Sequence, residues 1–365
     1  MIGRLRLQAQ GLLATEASFS PTPADVVRHT TAMQAQDLPS AMWAVGLRVH
    51  IGGGKLSLES VRAAINSGEI VRSWPMRGTL HLVMPEDLGW ILELTSDRLH
   101  RAMKSRFREL EITDADLDQC AEVAVELVAQ ARNSGADGGT RAELFDAWER
   151  AGQRTKAQRG ITMLGTLCRM AVLVQGPLEG NQQLFREFNE WIPFSRRLER
   201  EQSVAELAQR YFASHGPATM ADFSSWSKLP ITEVRRAMEV IGDKLEKRVI
   251  NEREYWCAPD LFSGIHKVPG ARSVLALPGF DEFILGYADR DDVLDPQHAA
   301  KIVPGGNGVF LKTIVVGGRV CGTWAHQCTG PKDVVEPLAF SEQMRPAAQK
   351  YFEQQAAKYL RFLAS

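Results

Sequence analysis

The chain has 365 residues, of which 44% are hydrophobic and 24% charged, and its net charge is −1. This length allows two or three domains, and the composition is that of a globular protein rather than a disordered one. A nearly neutral chain is not expected to coat nucleic acid nonspecifically, which needs a large excess of Lys and Arg, although a local basic groove remains compatible with it.

The sequence predicts a cytoplasmic protein that does not enter a membrane. No window approaches 18 uninterrupted apolar residues, and the N-terminus lacks the features of a secretory signal. The five cysteines, an odd number, favour a reducing compartment. The closest group, Cys321, His326 and Cys328, does not have the usual spacing of zinc ligands. We therefore expect no bound metal and no cofactor.

The first segment of the chain places two glutamines close to a proline. Helical runs are predicted at 22–37, 38–48 and 57–67, and Pro39 suggests that the first run ends by about Leu38. At such a junction Gln34 and Gln36, one residue apart, could face the same ligand. The alternative is that both amides simply cap the helix.

Alternating residues follow the third run. The stretch 69–83 alternates on both sides of Arg77-Gly78, which predicts a two-stranded β-hairpin. A long helix is then predicted from Pro85 to about Leu110. Basic residues crowd this helix and the stretch 154–159, and each cluster is either a binding surface or a solvated helix face.

Two later segments repeat one layout. Capping boxes are predicted at Thr22, Thr140 and Thr219, and the helices after the last two carry near-copies of one sequence, 142–148 and 221–226. In each copy a turn, a second helix and a β-hairpin follow, with the second helices at 156–170 and 231–243. Helix, turn, helix and hairpin is the layout of a winged helix, and the first segment has the same plan.

The C-terminal part changes character. A strand is predicted at 273–278, a turn at 305–308, a hairpin joining 309–316 to 319–324 across Gly317-Gly318, and a closing helix at 341–363. The fold class is therefore α+β. We divide the chain into winged helix 1 (1–84), a connecting helix (85–114), winged helix 2 (115–200), winged helix 3 (201–264) and a β-rich module (265–365).

Four motifs in this order resemble one known family. They are 33–37 (MQAQD), the predicted hairpin 73–81 (SWPMRGTLH), the tandem winged helices, and 280–290 (FDEFILGYADR). Together they resemble the winged helix DNA-binding domain family of bacterial DNA glycosylases, the AlkZ/YcaQ-like proteins. The likeness covers essentially the whole chain.

The resemblance implies a C-shaped protein whose winged helices line a channel for double-stranded DNA. It assigns catalysis to Gln34 and Gln36, with Ala35 as the small residue between them. It implies excision of N7- or N3-alkylated purines, in some members bulky adducts or interstrand crosslinks of a genotoxic natural product, as base excision repair or antibiotic self-resistance. It also implies that a β-hairpin of the C-terminal module, somewhere in 302–324, enters the minor groove.

The chemistry of two amides suits such a substrate. Glutamine is neither an acid nor a base near neutral pH, but a cationic alkylpurine leaves without protonation. The remaining tasks are to orient a water and to stabilise the positive sugar, which amide oxygens can do. We therefore expect a flat pH profile for excision. Asp37 is the alternative base, although a turn role is as plausible.

Several basic and aromatic residues are predicted to contact DNA, and each has a structural alternative. Arginines on a wing can grip phosphate or pair with an acid such as Glu69, and His81 is expected to be structural. Asp281, Asp289 and Arg290 are expected to form one buried ion network. The predicted DNA-binding residues are Arg72, Trp74, Arg77, Lys156, Arg159, Arg169, Lys312 and Arg319.

The leading hypothesis is a monofunctional, monomeric DNA glycosylase, since no lysine in the motif could form a Schiff base. Its partner would be double-stranded DNA that contains alkylpurine lesions, in the bacterial nucleoid. One alternative is a noncatalytic winged-helix transcription regulator, and another is a protein that sequesters the drug or its adduct.

Overall fold

The computed structural model describes an α+β protein. It covers residues 1–13, 21–263, 272–306, 308–329, 332–340, 344 and 346–365. The chain forms two compact units: unit 1 contains residues 1–61 and 204–365, and unit 2 contains residues 62–203. Among the described helices, none is both long and apolar enough to cross a membrane.

The elements alternate between helices and short antiparallel strands. The described α-helices are α1 (Ile2–Ala9), α2 (Pro23–Thr30), α3 (Leu38–Ile51), α4 (Leu58–Asn66), α5 (Pro85–Glu109), α6 (Asp114–Asn133), α7 (Arg141–Arg150), α8 (Arg159–Arg169), α9 (Phe188–Trp191), α10 (Arg200–His215), α11 (Met220–Ser227), α12 (Ile231–Ile241), α13 (Glu282–Leu285), α14 (Ala299–Ile302) and α15 (Pro346–Leu363). The strands are β1 (Ala32–Gln34), β2 (Val71–Met76), β3 (Thr79–Val83), β4 (Leu173–Glu179), β5 (Gln182–Glu187), β6 (Glu246–Ile250), β7 (Arg253–Cys257), β8 (Val274–Leu277), β9 (Thr313–Val316), β10 (Arg319–Thr329) and β11 (Lys332–Ala339).

Unit 2 packs three helices against a sheet with the order β3-β2-β4-β5. Helices α6, α7 and α8 are followed by the β4–β5 hairpin, so the winged-helix order predicted for this part is confirmed. Trp148 of α7 is completely buried, and its indole donates to the Cys120 carbonyl of α6 at 2.9 Å. Met163 and Leu167 of α8 belong to the same apolar core. Burial of these apolar side chains holds the helices against the sheet.

Unit 1 contains a second winged-helix pattern and a second sheet. Helices α10, α11 and α12 lead into the β6–β7 hairpin, as predicted, and the later strands pair in the order β11-β10-β9-β8. Two tryptophans fix the sheet, because Trp43 of α3 and Trp324 of β10 donate to the carbonyls of Ala276 and Leu277 in β8. Helix α15 completes this core, since Tyr359 packs edge-on against both indoles.

The helix starts are well determined by local sequence. All three predicted capping boxes are present, with Thr22, Thr140 and Thr219 each exchanging hydrogen bonds with an acid three residues later. A fourth capping box, at Thr113, was not among the predicted ones and starts α6. The hairpin across Arg77-Gly78 is also confirmed, and both turn residues have positive φ, +56° and +70°. This conformation gives the twist that a two-residue hairpin needs.

Other predicted elements were wrong in extent. The predicted helix 22–37 ends at Thr30, and β1 follows it. The hairpin predicted after the helix 156–170 is present, since β4 runs to Glu179 and pairs with β5 across Gly180-Asn181 with a register shift after Gln175. The predicted strand 309–316 begins only at Thr313. Strand β11 was missed, and it forms with β10 the longest hairpin of the described sheet in unit 1.

Candidate functional site

The two glutamines lie between helices α2 and α3, with Gln34 at the end of strand β1 and Gln36 two residues beyond it. Helix α2 ends where Thr31 takes a φ of +68°, which is rare for a residue with a branched side chain. Ala35 is fully buried, whereas Gln34 is half-buried and Gln36 is exposed. Successive side chains of extended backbone point to opposite sides. The small residue of the motif is therefore buried, and the glutamine on either side of it is more exposed.

Pro39 starts a helix instead of ending one. Helix α3 begins at Leu38 with the proline in its first turn, where a missing N–H costs nothing. Asp37 is consequently the N-cap position of α3, not a helix C-terminus, and its carboxylate accepts from the Ser40 hydroxyl at 2.5 Å. The prediction that Gln34 and Gln36 close a helix was wrong, because α2 ends at Thr30 and both glutamines come after it.

A buried carboxylate fixes the backbone of the motif. Glu282 of α13 is 1% exposed, and its Oε1 accepts from the Gln34 backbone N–H at 3.1 Å. Its Oε2 accepts from the Trp226 indole at 2.9 Å and lies 3.5 Å from Nε2 of His215, which is fully buried. Each oxygen of the carboxylate therefore has a hydrogen-bond partner, which is the condition for keeping a carboxylate out of water.

A second buried acid anchors the same turn. Asp281 accepts both terminal nitrogens of Arg48 at 2.9 and 3.0 Å, and it caps α13 through the Phe283 N–H. Arg48 also donates to the backbone and side chain of Gln10. A bidentate pair with its remaining donors satisfied is a rigid support. The turn that carries Glu282 is thus fixed relative to α1 and α3.

The arrangement has a definite chemical capacity. The amides of Gln34 and Gln36 offer carbonyl oxygens as acceptors and N–H groups as donors, without a proton that can be transferred near neutral pH. Because the Glu282 carboxylate accepts from the Gln34 backbone N–H, the backbone position from which the Gln34 side chain extends is fixed. Such a pair can orient a water molecule and stabilise positive charge, but it cannot protonate a leaving group.

Residues predicted on the first wing are mostly turned inward. Arg72 is 8% exposed and donates to the Gln183 side chain at 3.0 Å, and Trp74 belongs to the core of unit 2. Arg77 is half-buried at the turn, with Nη2 2.8 Å from Nε2 of the buried His81. His81 also contacts the Thr79 carbonyl, which agrees with the structural role expected for it.

The predicted residues of the second winged helix differ in exposure. Lys156 is exposed and precedes α8, so its predicted place on that helix was wrong. Arg159 is 6% exposed, pairs with Asp116 at 3.2 Å and donates to the Leu110 and Arg154 carbonyls. Arg169 is also buried, and burial lowers the pKa of its guanidinium. In this group only Lys156 presents its charge openly to solvent.

In the C-terminal sheet, Lys312 is half-buried, with its ammonium 5.3 Å from the Trp324 ring, and Arg319 is exposed. The Gly317-Gly318 turn, which lies in the range expected for a groove-entering hairpin, contacts Gly3 of α1. The longer β10–β11 hairpin extends beyond that range. Residues 330 and 331 between its strands lie outside the described residues.

Sequence reasoning missed the role of Glu282. The motif 280–290 was interpreted as one ion network, which was wrong: Asp281 pairs with Arg48, Asp289 pairs with Arg253, and Arg290 donates to the Ile284 carbonyl. The available signal was two adjacent acids in an apolar stretch, a pattern that requires buried partners. The partner of Glu282 lies 248 positions away, so no local pattern could identify it.

Comparison with known proteins places this geometry in context. Residues 27–362 match the family model described as DNA glycosylase AlkZ-like. A curated relative from Streptomyces sahachiroi, named interstrand DNA cross-link repair glycosylase, is 25% identical over 349 residues, which are 93% of this chain and 90% of the relative. The solved structure of Streptomyces sahachiroi DNA glycosylase AlkZ has a TM-score of 0.78 and 25% identity, over 99% of this chain and 95% of that one.

Proposed function

The chain belongs to the AlkZ-like DNA glycosylase family, and from that premise we propose that it hydrolyses the N-glycosidic bond of N7- or N3-alkylated purines in double-stranded DNA. The observation that carries this proposal is the segment 34–36, where a buried alanine separates two more exposed glutamines and Glu282 accepts from the Gln34 backbone N–H. Neutral groups suit a base that is already cationic.

The reaction needs no general acid. As the bond between C1′ and the purine nitrogen breaks, its electron pair goes to the cationic base, which leaves neutral. Positive charge develops on the sugar, and the amide oxygens of Gln34 and Gln36 stabilise it and orient a water toward C1′. The water then bonds to C1′ and loses a proton to solvent. No amine of the motif attacks C1′, so the enzyme is monofunctional.

We extend the substrate to bulky adducts and interstrand crosslinks of a genotoxic natural product. Support comes from the printed name of the Streptomyces sahachiroi relative, a cross-link repair glycosylase. A crosslinked purine alkylated at N7 carries the same positive charge as a small methyl adduct, so the same two amides serve both. The biological role would be base excision repair or antibiotic self-resistance.

Further parts of the proposal concern DNA binding. Lys156 and Arg319, which are exposed, would contact phosphate, and Arg77 would do so from the wing turn.

Our proposed division of the chain has three winged helices, a connecting helix and a β-rich module. Their boundaries are 1–84 (winged helix 1), 85–114 (connecting helix), 115–200 (winged helix 2), 201–264 (winged helix 3) and 265–365 (β-rich module). We also propose that the protein acts as a monomer on the nucleoid.

The test uses duplex DNA that carries N7-methylguanine, followed by alkali to cleave abasic sites. Wild type should release the base, and Gln34→Ala or Gln36→Ala should each slow single-turnover excision by about 100-fold, the usual cost of losing one donor or acceptor aimed at developing charge. Gln354→Ala is the matched control, since Gln354 is an exposed glutamine of α15. Circular dichroism checks folding, and a panel of bulky and crosslinked adducts defines the range.

Two results would contradict the proposal. Intact DNA across the whole adduct panel, together with tight binding to one DNA sequence, would indicate the transcription regulator instead. Excision that survives the Gln34→Ala/Gln36→Ala double variant would place catalysis elsewhere, with Asp37 the next residue to replace.

A further inference from the structure

Three side chains that commonly bind metals converge on the β10–β11 hairpin. His326 and Cys328 are two residues apart on β10, and Asp333 on β11 is paired directly with Cys328. Residues two apart on a strand share a face with the residue opposite them. Nε2 of His326 lies 3.1 Å from Oδ1 of Asp333 and 3.9 Å from Sγ of Cys328. All three ligand atoms lie within 4.8 Å of one another.

These separations are close to those around a tetrahedral zinc ion. With Zn–N and Zn–O bonds of about 2.1 Å and Zn–S of about 2.3 Å, neighbouring ligand atoms are roughly 3.4 to 3.6 Å apart. The Nε2–Oδ1 separation of 3.1 Å and the Nε2–Sγ separation of 3.9 Å each differ from these values by a few tenths of an ångström, so side-chain adjustments would place the three atoms around one ion. Thiolate and imidazole ligands favour zinc over Mg²⁺ or Ca²⁺, which prefer oxygen.

The histidine also has an outer partner. The hydroxyl of Tyr359 lies 3.4 Å from Nδ1 of His326, and the two rings meet edge to face at 5.3 Å. A hydrogen bond from Nδ1–H to this oxygen leaves the Nε2 lone pair free for a metal, which is the usual arrangement behind a histidine ligand.

We propose that His326, Cys328 and Asp333 bind one Zn²⁺ ion that ties β10 to β11, with water completing the coordination. Asp333 binds as a carboxylate, His326 binds as neutral imidazole through Nε2, and Cys328 binds as thiolate after its proton passes to solvent. No redox change is involved. The group differs from the one considered in the sequence, because Cys321 is buried with its thiol 3.6 Å from the Ile314 carbonyl and Asp333 takes the third place.

The test uses the full-length, reduced protein after removal of metal with a chelator. Co²⁺ should bind with one equivalent per chain and give a thiolate-to-metal charge-transfer band, and Zn²⁺ should displace it. Cys328→Ser should lose the band. His326→Ala and Asp333→Asn should weaken Zn²⁺ binding more than about tenfold in competition with a chromophoric chelator, and Tyr359→Phe by about tenfold.

The control is Glu336→Gln, which removes a carboxylate from the opposite face of the same strand and should leave affinity unchanged. A second readout needs no variant, since Cys328 is the exposed thiol among the five cysteines and Zn²⁺ should slow its alkylation. Absence of saturable one-equivalent binding would overturn the proposal. So would zinc affinity that is unaffected by Cys328→Ser, or a loss in Glu336→Gln as large as in Asp333→Asn.

Discussion

At the residue scale, the Glu282 carboxylate supports Gln34 and the protein core at the same time. A glutamine at this position offers one acceptor in place of two, so Glu282→Gln loses either the Gln34 N–H or the Trp226 indole. We expect the free energy of unfolding to fall by about 1–3 kcal/mol. Because the motif would shift, single-turnover excision should slow by about 10- to 100-fold with little change in DNA affinity. Denaturant titration and the alkali-cleavage assay measure the two effects.

Trp226→Phe is the matched control for this substitution. It removes the other hydrogen bond of the same carboxylate and leaves the Gln34 contact in place. Stability should fall comparably while excision stays near the wild-type rate. If both variants lost the same activity at equal stability, Glu282 would serve only to stabilise the core.

His29, on the helix that precedes the motif, gives stability a dependence on pH. The side chain of His29 is solvent-exposed, but neighbouring atoms desolvate its ring and lower its pKa below the ordinary value of 6.5, while its contact of 2.6 Å with the Ala9 carbonyl opposes the shift. The unfolded chain therefore takes up this proton more readily. Its contribution to stability is complete above about pH 6.5 and is lost as the pH falls toward the folded pKa.

The comparison variant is His29→Gln, whose amide keeps an N–H for the Ala9 carbonyl. Denaturant titrations between about pH 7.5 and about pH 5.5 should show a smaller loss of stability in the variant than in wild type. Parallel pH curves for the two proteins would show that His29 is not the responsible group.

The residues of the candidate site could be predicted from the sequence only in part. The assignment of catalysis to Gln34 and Gln36 came from the family resemblance and stays a prediction. Their predicted place at the end of a helix was wrong, since Pro39 is compatible with either end of a helix and the positive φ of Thr31 has no sequence signal. Glu282 escaped because its partner comes from the other end of the chain.

At the element scale, two capping boxes with the same local pattern should differ in their energetic weight. Glu143 is exposed and caps the start of α7. Glu143→Ala should therefore lower the free energy of unfolding by about 0.5–1 kcal/mol. Asp222 is 1% exposed, and its second oxygen also accepts the Ala288 and Asp289 N–H groups.

Asp222→Ala leaves the N–H groups of Ala288 and Asp289 without this acceptor. We therefore expect the free energy of unfolding to fall by about 2–4 kcal/mol. Denaturant titration of both variants measures the difference. Equal losses would mean that Asp222 acts as a local cap and does not join α11 to the segment after α13.

The same contrast explains which elements the sequence predicted. Capping boxes, paired glycines and the Arg77-Gly78 turn act within a few residues, so the helices and hairpins that they bound were found. Strand β11 was missed because it carries Pro337 and lies at the edge of its sheet, where a proline costs no ladder hydrogen bond. Its pairing with β10 depends on tertiary packing, which a single sequence does not display.

At the scale of the whole molecule, a chain of net charge −1 must bind DNA through local basic residues. Each lysine or arginine that neutralises a phosphate contributes about 0.9 to the slope of log affinity against log salt concentration. Lys156 and Arg319 are exposed, so Lys156→Gln and Arg319→Gln should each reduce that slope by about 0.9 on undamaged duplex DNA. Lys350→Gln, an exposed substitution on α15, is the control and should leave it unchanged.

For Arg159 we expect no contribution to the salt dependence of DNA binding. Its guanidinium pairs with Asp116 and donates hydrogen bonds to Gln153 and to backbone carbonyls. Arg159→Gln should keep the salt slope and lower the free energy of unfolding by about 2–4 kcal/mol, since it leaves buried acceptors and one carboxylate unpaired. If Arg159→Gln instead lowered the slope at unchanged stability, the guanidinium would have to leave its buried partners to reach DNA. DNA binding would then draw a buried arginine out of its ion pair, in addition to using residues that are exposed in the free protein.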